Sequence, residues 1–463
     1  MKILVVSHQL PPKYRAGAEL YALRQAMWLQ AKGHTVRAVA VEDIEASVPQ
    51  LEVRHEEYLG LEVERLHFNR LAYPNVLEAS HLNPEITAWM EQFLREYQPD
   101  LMLVNACYLL GVGVLHAARQ LNIPVVLTLH DFWFLCQRIT LMRPDGTLCD
   151  GKVSPADCAL CISKDKRRYL LADKFTGGLF GRGLVAGAEA GLEPFMALLG
   201  GKQKIQTLAL RRERLLEALK GVECVIAPSR YLRQLFIENG FPAEKIRYCR
   251  YGLDTGRLAG IEQQKLAPET KAQPAETASR GLRVGYMGQV LPHKGVDVLV
   301  EAFRQLDNPE ARLSIHGVMG RDPAYDLRLQ QLATGDSRIR FAGPYMPEEL
   351  PAILLGLDVV VVPSIWLENS PLIIMEAQAA GLPVITTNLG GMAEMVRHDQ
   401  DGLLFERKNV SDLAAQLRRL QNEPGLLAHL KAGVAPVKSL DEEFSELLPL
   451  YEDLATRHIP SSL

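Results

Sequence analysis

Two carboxylates eight positions apart, Glu368 and Glu376, stand in the otherwise apolar stretch "SIWLENSPLIIMEA". Surface glutamates keep polar company, and these do not. The run "DVVVVPS" before them predicts a buried strand, and "PLIIMEAQAAG" a helix that is apolar nearly all round. Ser370 is placed as the N-cap of that helix and Pro371 at its first helical position. A carboxylate in the second turn of a buried helix must receive hydrogen bonds or lose its charge. Two adjacent hydroxyls, as on a ribose, would satisfy both oxygens of Glu376. Glu368, in the loop ahead, would then lie near a group joined to that ribose through phosphates. The first amides of the helix face the positive end of its dipole and suit an anion. The plainer alternative is one exposed loop Glu and one Glu paired to a structural Arg.

Three other places offer matching chemistry. "GYMGQVLPHKGVDVLVEAF" closes a predicted strand at Gly288 and opens a helix near Val296, with Lys294 between them as a point charge for a diphosphate. "HQLPPKYRAGAELY" puts Ala16-Gly17-Ala18 at a strand-to-helix turn, where small residues let a ligand approach the backbone. "VVLTLHD" ends a strand at His130, whose imidazole would face a cleft. Each has an ordinary structural reading when taken singly. Together they all fall at carboxyl ends of predicted strands, where open α/β sheets bind ligands. "HDQDG" contains Asp399-Gln400-Asp401, outwardly an Asp-x-Asp metal motif, but it precedes "GLLF" and reads as a surface turn. No divalent metal is therefore expected at the donor site.

The elements that must carry these residues repeat twice. "KILVVS", "HTVRAVAVE", "LEVERLHF", "DLMLVNA", "PVVLTLH" and "ECVIAPS" alternate with helical patterns, as do "LRVGYMG", "ARLSIHG", "IRFAG", "DVVVVPS", "PVITT" and "GLLF". Such alternation predicts two α/β domains with parallel sheets covered on both faces. The expected division is 1–260, a linker at 261–280, 281–435, and a C-terminal helix within 436–463 that packs back on the first domain. A cleft between the two domains is the default site. Residues 132–205 break the rhythm and read as an inserted Cys-rich, Gly-rich loop with short helices.

Composition excludes several classes. The chain has 463 residues, 48% hydrophobic and 23% charged, which suits a globular protein with two or three cores. The opening "MKILVVS" reads as a strand, and no apolar run is long enough to span a bilayer, so a cytoplasmic protein is expected. Net charge is +4 over residues 1–260 and -8 over the remainder. The positive excess sits in 164–220, with 12 basic and 6 acidic residues, as solvated helix faces or a peripheral contact with anionic membrane. No aromatic-studded basic stripe accompanies it, so nucleic acid is not an expected partner. Cys107, Cys224 and Cys249 read as buried thiols. Cys136, Cys149, Cys158 and Cys161 form a separate group, and their spacing suggests a structural Zn.

These segments resemble, in order, the retaining glycosyltransferases of family 4, which have the GT-B fold of two Rossmann-like domains facing across a cleft. The similarity rests on the turn around Gly17, "APSRYLRQLFIENG", "YGLD", "GQVLPHKG", "FAGPYMPEEL", "PSIWLENSPLIIMEAQAAGLPVITTNLGGMAEMV" and "DGLLF". It is greater still to members with "W-x-E-N-S-P" and a Cys-rich insertion. The resemblance implies that Glu368 contacts the donor sugar and Glu376 the ribose. It implies Lys294 on the diphosphate, backbone amides across Ser370, Pro371, Leu372 and Ile373 (with Asn369 beside them) on the phosphates, and His130 near the transferred sugar. Gly17 matches the flexible turn that meets donor and acceptor. Members often carry Arg where this chain has Gln289, one positive charge fewer on the diphosphate. The implied activity is metal-independent transfer of a sugar from a nucleoside diphosphate sugar to a glycan or lipid-linked acceptor, with no cofactor for catalysis. Alternatives on the same architecture are a sugar-nucleotide epimerase, a glycan phosphorylase, or a non-catalytic partner subunit.

Overall fold

A computed structural model describes residues 1–48, 50–258 and 281–457. They form two compact units: Met1–Cys249 with the chain from Phe444 onward, and Arg250–Glu443. The first boundary therefore falls before Arg250 and not at 260. The predicted linker at 261–280 lies outside the described residues.

The first unit is built on an eight-stranded sheet. Its strands are β1 (Lys2–Ser7), β2 (Thr35–Asp43), β3 (Glu52–Tyr58), β4 (Leu61–His67), β5 (Leu101–Val104), β6 (Val125–Thr128), β7 (Cys224–Ala227) and β8 (Ile246–Tyr248). Their order is β3-β4-β2-β1-β5-β6-β7-β8. Pairing is parallel except between β3 and β4, so the sheet is mixed rather than all-parallel. β3 escaped the sequence reading because "EVRHEEY" is charged and mostly exposed. Those charges suit an edge strand that must not pair further. The inner strands β1, β5 and β6 are Val/Leu/Ile runs buried on both faces.

The second unit has six parallel strands: β9 (Arg283–Met287), β10 (Arg312–His316), β11 (Ile339–Gly343), β12 (Val359–Val362), β13 (Val384–Thr387) and β14 (Gly402–Phe405). Their order is β11-β10-β9-β12-β13-β14. The order reverses between β9 and β12 here and between β1 and β5 in the first unit. At such switch points the loops leave in opposite directions and open a crevice at the strands' carboxyl ends.

The insertion is more helical than the expected loop with short helices. Helices Pro155–Ser163, Arg167–Phe175, Leu179–Glu189, Glu193–Leu198 and Lys202–Lys220 close around a core that includes Leu160, Tyr169, Leu184, Leu199 and Leu208. The last helix leads into β7, so position 205 falls inside an element and not at a boundary. Among the described residues no helix is long and apolar enough to cross a membrane.

The final helix, Leu440–Arg457, enters the first unit at Phe444. Phe444 packs its ring against Tyr21 at 5.6 Å and Trp28 at 5.5 Å. Leu447 and Tyr451 are fully buried in the same core as Leu23, Ala26 and Leu29. Leu447→Ala should therefore cost about 2–5 kcal/mol, read as a lower urea midpoint for the first unit. An unchanged midpoint would mean that this helix is not part of that core.

Candidate active site

In the second unit, the loops after β9 and β12 meet at the switch point. β12 ends at Val362, and a short loop leads to the helix Leu372–Ala379. Within the loop, one carboxylate oxygen of Glu368, Oε1, accepts three hydrogen bonds. Lys294 Nζ donates at 2.7 Å, Ser364 Oγ at 2.7 Å and Trp366 Nε1 at 3.0 Å. Burial alone would raise the Glu368 carboxyl, but the Lys294 charge and these three donors outweigh it and hold the group below its ordinary value. Among the described residues no donor reaches the second oxygen, Oε2. Lys294 also lies over the Trp366 ring, 5.2 Å from its centroid, and His293 meets that ring edge-on at 5.3 Å.

Backbone packing fixes this arrangement. Lys294 ends a short turn, Pro292–Lys294, and Gly295 follows at φ +69°. A Cβ on Gly295 would stand 2.1 Å from the Pro363 carbonyl oxygen, so the two loops touch only because residue 295 is glycine. Ile365 N–H donates to the His293 carbonyl at 2.9 Å. From the other side, Gly391 N–H donates to the Glu368 carbonyl at 2.9 Å, and a Cβ there would lie 1.8 Å from the Asn369 carbonyl oxygen.

The helix begins one residue later than the sequence suggested: Pro371 is its N-cap, and Pro371 provides no side-chain cap. Ser370 instead directs its hydroxyl to Met395 Sδ at 3.7 Å. Proline has no N–H, so of the four expected amide donors only Ser370, Leu372 and Ile373 remain. Glu376 is half-buried in the second turn. Its charge adds to burial in pushing the Tyr345 phenol upward. Gln289 is exposed just beyond β9, and its carbonyl accepts from Tyr286 Oη at 2.6 Å. In the Asp399-Gln400-Asp401 turn each carboxylate has an arginine, Arg419 for Asp399 at 2.9 Å and Arg397 for Asp401 at 2.7 Å. Asp401 is buried, so only part of that turn is surface.

In the first unit, His130 lies beyond the end of β6. Its Nε2 stands 3.3 Å from Asn105 Oδ1, just beyond β5, and its ring meets Tyr21 edge-on at 5.0 Å. Asn105 Nδ2 donates to Gln25 Oε1 at 2.9 Å, and Gln25 Nε2 donates to the Tyr451 hydroxyl at 3.1 Å. Because Asn105 uses its amide on Gln25, its oxygen must accept, which assigns the proton to His130 Nε2. Burial, with His8 nearby, pushes the His130 imidazole down to about 3. Gly17 opens the helix Gly17–Ala31 and is exposed. Two positions on, the buried Glu19 pairs with His8 Nε2 at 3.2 Å, and His8 follows β1. Burial raises the Glu19 carboxyl, but hydrogen bonding and charge from His8 bring it below its ordinary value.

Sequence reasoning thus found Lys294 and Glu368, which the fold brings into direct contact. It missed Ser364 and Trp366 as their partners, although both stand within four positions of Glu368. It also missed His8, Glu19, Gln25 and Asn105, whose partners are remote in sequence and leave no local pattern. The four cysteines of the insertion line one small cavity, with Arg138 and Arg143 among its walls. Burial pushes the Cys158 thiol up to about 11 and the Cys161 thiol up to about 12, and neighbouring thiols of the group add to both.

Residues 16–176 match the family model described as "Glycosyl transferase 4-like domain", and residues 269–433 match "Glycosyl transferases group 1". The D-inositol 3-phosphate glycosyltransferase of Rhodococcus jostii (strain RHA1) is 33% identical over 39% of this chain and 43% of its own length. That of Streptomyces bingchenggensis is 34% identical over 40% and 44%. The matched region therefore spans less than half the length of these relatives. Among solved structures, sucrose-phosphate synthase from Thermosynechococcus elongatus is similar over 99% of this chain and 100% of its own, with TM-score 0.64 and 18% identity. Anabaena HepE in complex with UDP is similar over 98% and 100%, with TM-score 0.62 and 17% identity. With two Rossmann-like units, each matched by its own family model, the chain belongs to the family 4 glycosyltransferases of GT-B fold.

Proposed function

We propose that the protein is a retaining glycosyltransferase that moves a sugar from a nucleoside diphosphate sugar to a hydroxyl of a glycan or lipid-linked acceptor, without a metal. The observation that carries this reading is the Lys294–Glu368 pair at the β9/β12 switch point, set just ahead of a helix whose N-cap supplies no side chain. Glu368 holds its charge and presents Oε2 to donor-sugar hydroxyls. Glu376 takes the ribose hydroxyls. Lys294 and the amides of Leu372 and Ile373 face the diphosphate. In the transfer, the acceptor oxygen bonds to the anomeric carbon on the face that the diphosphate leaves. The bond to the phosphate oxygen breaks, and the acceptor proton passes to the departing phosphate. Lys294 and the helix dipole stabilise the charge that collects there. His130, neutral and oriented by Asn105, positions the sugar or acceptor.

In kinetics with the matching sugar nucleotide, Glu376→Ala should mainly weaken donor binding and Glu368→Ala mainly lower turnover. Lys294→Ala should damage both, because it also strips Glu368 of its cation. Release of nucleoside diphosphate only when acceptor is present separates transfer from epimerisation and from simple binding. Unaltered constants in all three variants would refute the assignment.

The state of His130 sets a pH expectation. An imidazole lowered to about 3 is neutral at every pH above that, so it gives kcat/KM no limb near the ordinary value of 6.5. A limb near pH 6.5 that vanishes in His130→Gln would show that the proton on His130 is used.

The insertion supplies a surface for the lipid-linked acceptor's membrane. Phe175 is 85% exposed and Leu179 67%, where two helices meet. On the same two helices Arg167, Arg168, Lys174 and Arg182 are exposed, whereas Lys164 and Arg211 are buried and belong to the fold. Exposed apolar tips on helices that also carry exposed cations suit an anionic bilayer surface. Sedimentation with vesicles rich in acidic phospholipid should exceed that with neutral vesicles. It should be lost at high salt and fall several-fold in the double variant Phe175→Ser/Leu179→Ser. Equal recovery with both vesicle types would leave these helices as solvated faces.

A further inference from the structure

The cysteine group of the insertion is used by nothing in the transfer chemistry. Its members arrive from three separate places. Cys136 sits in the turn six residues after His130, Cys149 follows the bridge between Met142 and Leu148, and Cys158 and Cys161 lie on the helix Pro155–Ser163. The fold nevertheless brings all four to one cavity of about 30 Å³, whose other walls include Leu135, Leu141, Met142 and Ile162. All seven cysteines of the chain are free thiols, so no disulfide explains the convergence.

Local geometry around the sulfurs is suited to thiolate ligands. Gly151 N–H donates to Cys149 Sγ at 3.4 Å, an amide two residues on that would steady a negative sulfur. Cys149 is itself held by its N–H to the Leu141 carbonyl at 2.7 Å, and Cys136 by its N–H to the Phe132 carbonyl at 2.8 Å. Between them, Ile139 and Leu141 adopt φ of +69° and +51°. Left-handed backbone is costly for a branched residue and persists only where the surroundings dictate it. Four thiolates around a divalent ion carry a net charge of -2, and Arg143 stands in the cavity wall to offset part of it, beside Arg138, which is paired with Asp165. Among the described residues no three ligand side chains converge closely enough to hold an ion as they stand. The thiols therefore surround the cavity and must turn inward to close on one.

We infer that Cys136, Cys149, Cys158 and Cys161 bind one Zn²⁺ with an all-thiolate shell. The ion fastens the turn that follows His130 to the first helix of the insertion. With four protein ligands, no position is left for substrate, so the ion is structural. Zinc fits better than an iron–sulfur cluster because sugar transfer moves no electrons, and a redox-inert ion keeps the thiols from oxidising.

The test uses the whole chain, purified without chelator and without a metal-affinity step. Elemental analysis should give about one Zn per chain. A thiol-blocking mercurial should release that zinc as the cluster's thiols react. Zinc-stripped protein titrated with Co²⁺ should show the thiolate-to-cobalt charge-transfer and visible bands of a tetrahedral site. Cys158→Ser and Cys161→Ser should lose most of the metal, and Cys224→Ser, outside the group, should keep it. If the serine variants do not fold, the Co²⁺ spectrum of the wild-type chain decides the matter alone. A well-folded wild type without metal, stoichiometric iron in place of zinc, or fewer than seven titratable thiols in denaturant without reductant would each overturn the inference.

Discussion

A buried carboxylate survives as an anion only when its environment replaces the water it has lost. Glu368 meets that condition with three donors on one oxygen, and much of the second unit is arranged to deliver them. Ser364 comes from the end of β12, Trp366 from the loop, and Lys294 from the turn after β9. That turn can reach the loop only across Gly295. The Glu368 backbone is pinned in turn by Gly391. The pair also couples two parts of the proposed reaction. A diphosphate that recruits Lys294 must share it with Glu368, so occupancy of the phosphate position changes the charge balance where the sugar would bind. Loss of the diphosphate restores the undivided ion pair.

The first unit applies the same logic to a neutral group. His130 is oriented through Asn105 and Gln25 to Tyr451, and the three supporting residues are almost wholly buried. Each amide in this row has its donor and acceptor ends committed, with the Asn105 oxygen facing His130. The last member belongs to the C-terminal helix, whose chain has already passed through the second unit. The orientation of a residue near position 130 therefore depends on chain more than three hundred residues later. Such a dependence is invisible to any local window.

This difference explains what the sequence could tell. The strands were legible because inner parallel strands are short apolar runs with few rivals, as in β5, β6 and β12. β3 was not, because an edge strand protected by charge has lost the apolar signal. Glu368, Glu376, Lys294 and Gly17 stood out in the sequence because strand-to-helix junctions announce themselves in composition. Asn105, Gln25 and His8 carry no such mark. A buried amide is ordinary in sequence and becomes informative only when its partner is known. The N-cap was misplaced by one residue for a related reason: Ser370 has the right chemistry for a cap, but the fold turns its hydroxyl toward Met395.

The insertion joins these themes. It has its own core, and its attachments run both to the segment just beyond His130 and to the 75–78 turn, where Thr207 meets Asn75 and Arg214 meets Glu78. Arg211, on the helix Lys202–Lys220, is 4% exposed, donates to the Trp133 carbonyl and stacks over the Trp133 ring at 5.2 Å. Arg138 pairs with Asp165, and buried Lys164 bridges Asp145 and Asp173. The basic run is thus divided by burial: some cations bind the insertion to the 131–150 turn, and others are left for solvent or an anionic partner. A charge placed inward to hold a joint cannot also serve a surface, so the outward face must do its work with Lys166, Arg167, Arg168, Lys174 and Arg182. The cysteine cavity lies within this same joint, where a bound ion would stiffen it most.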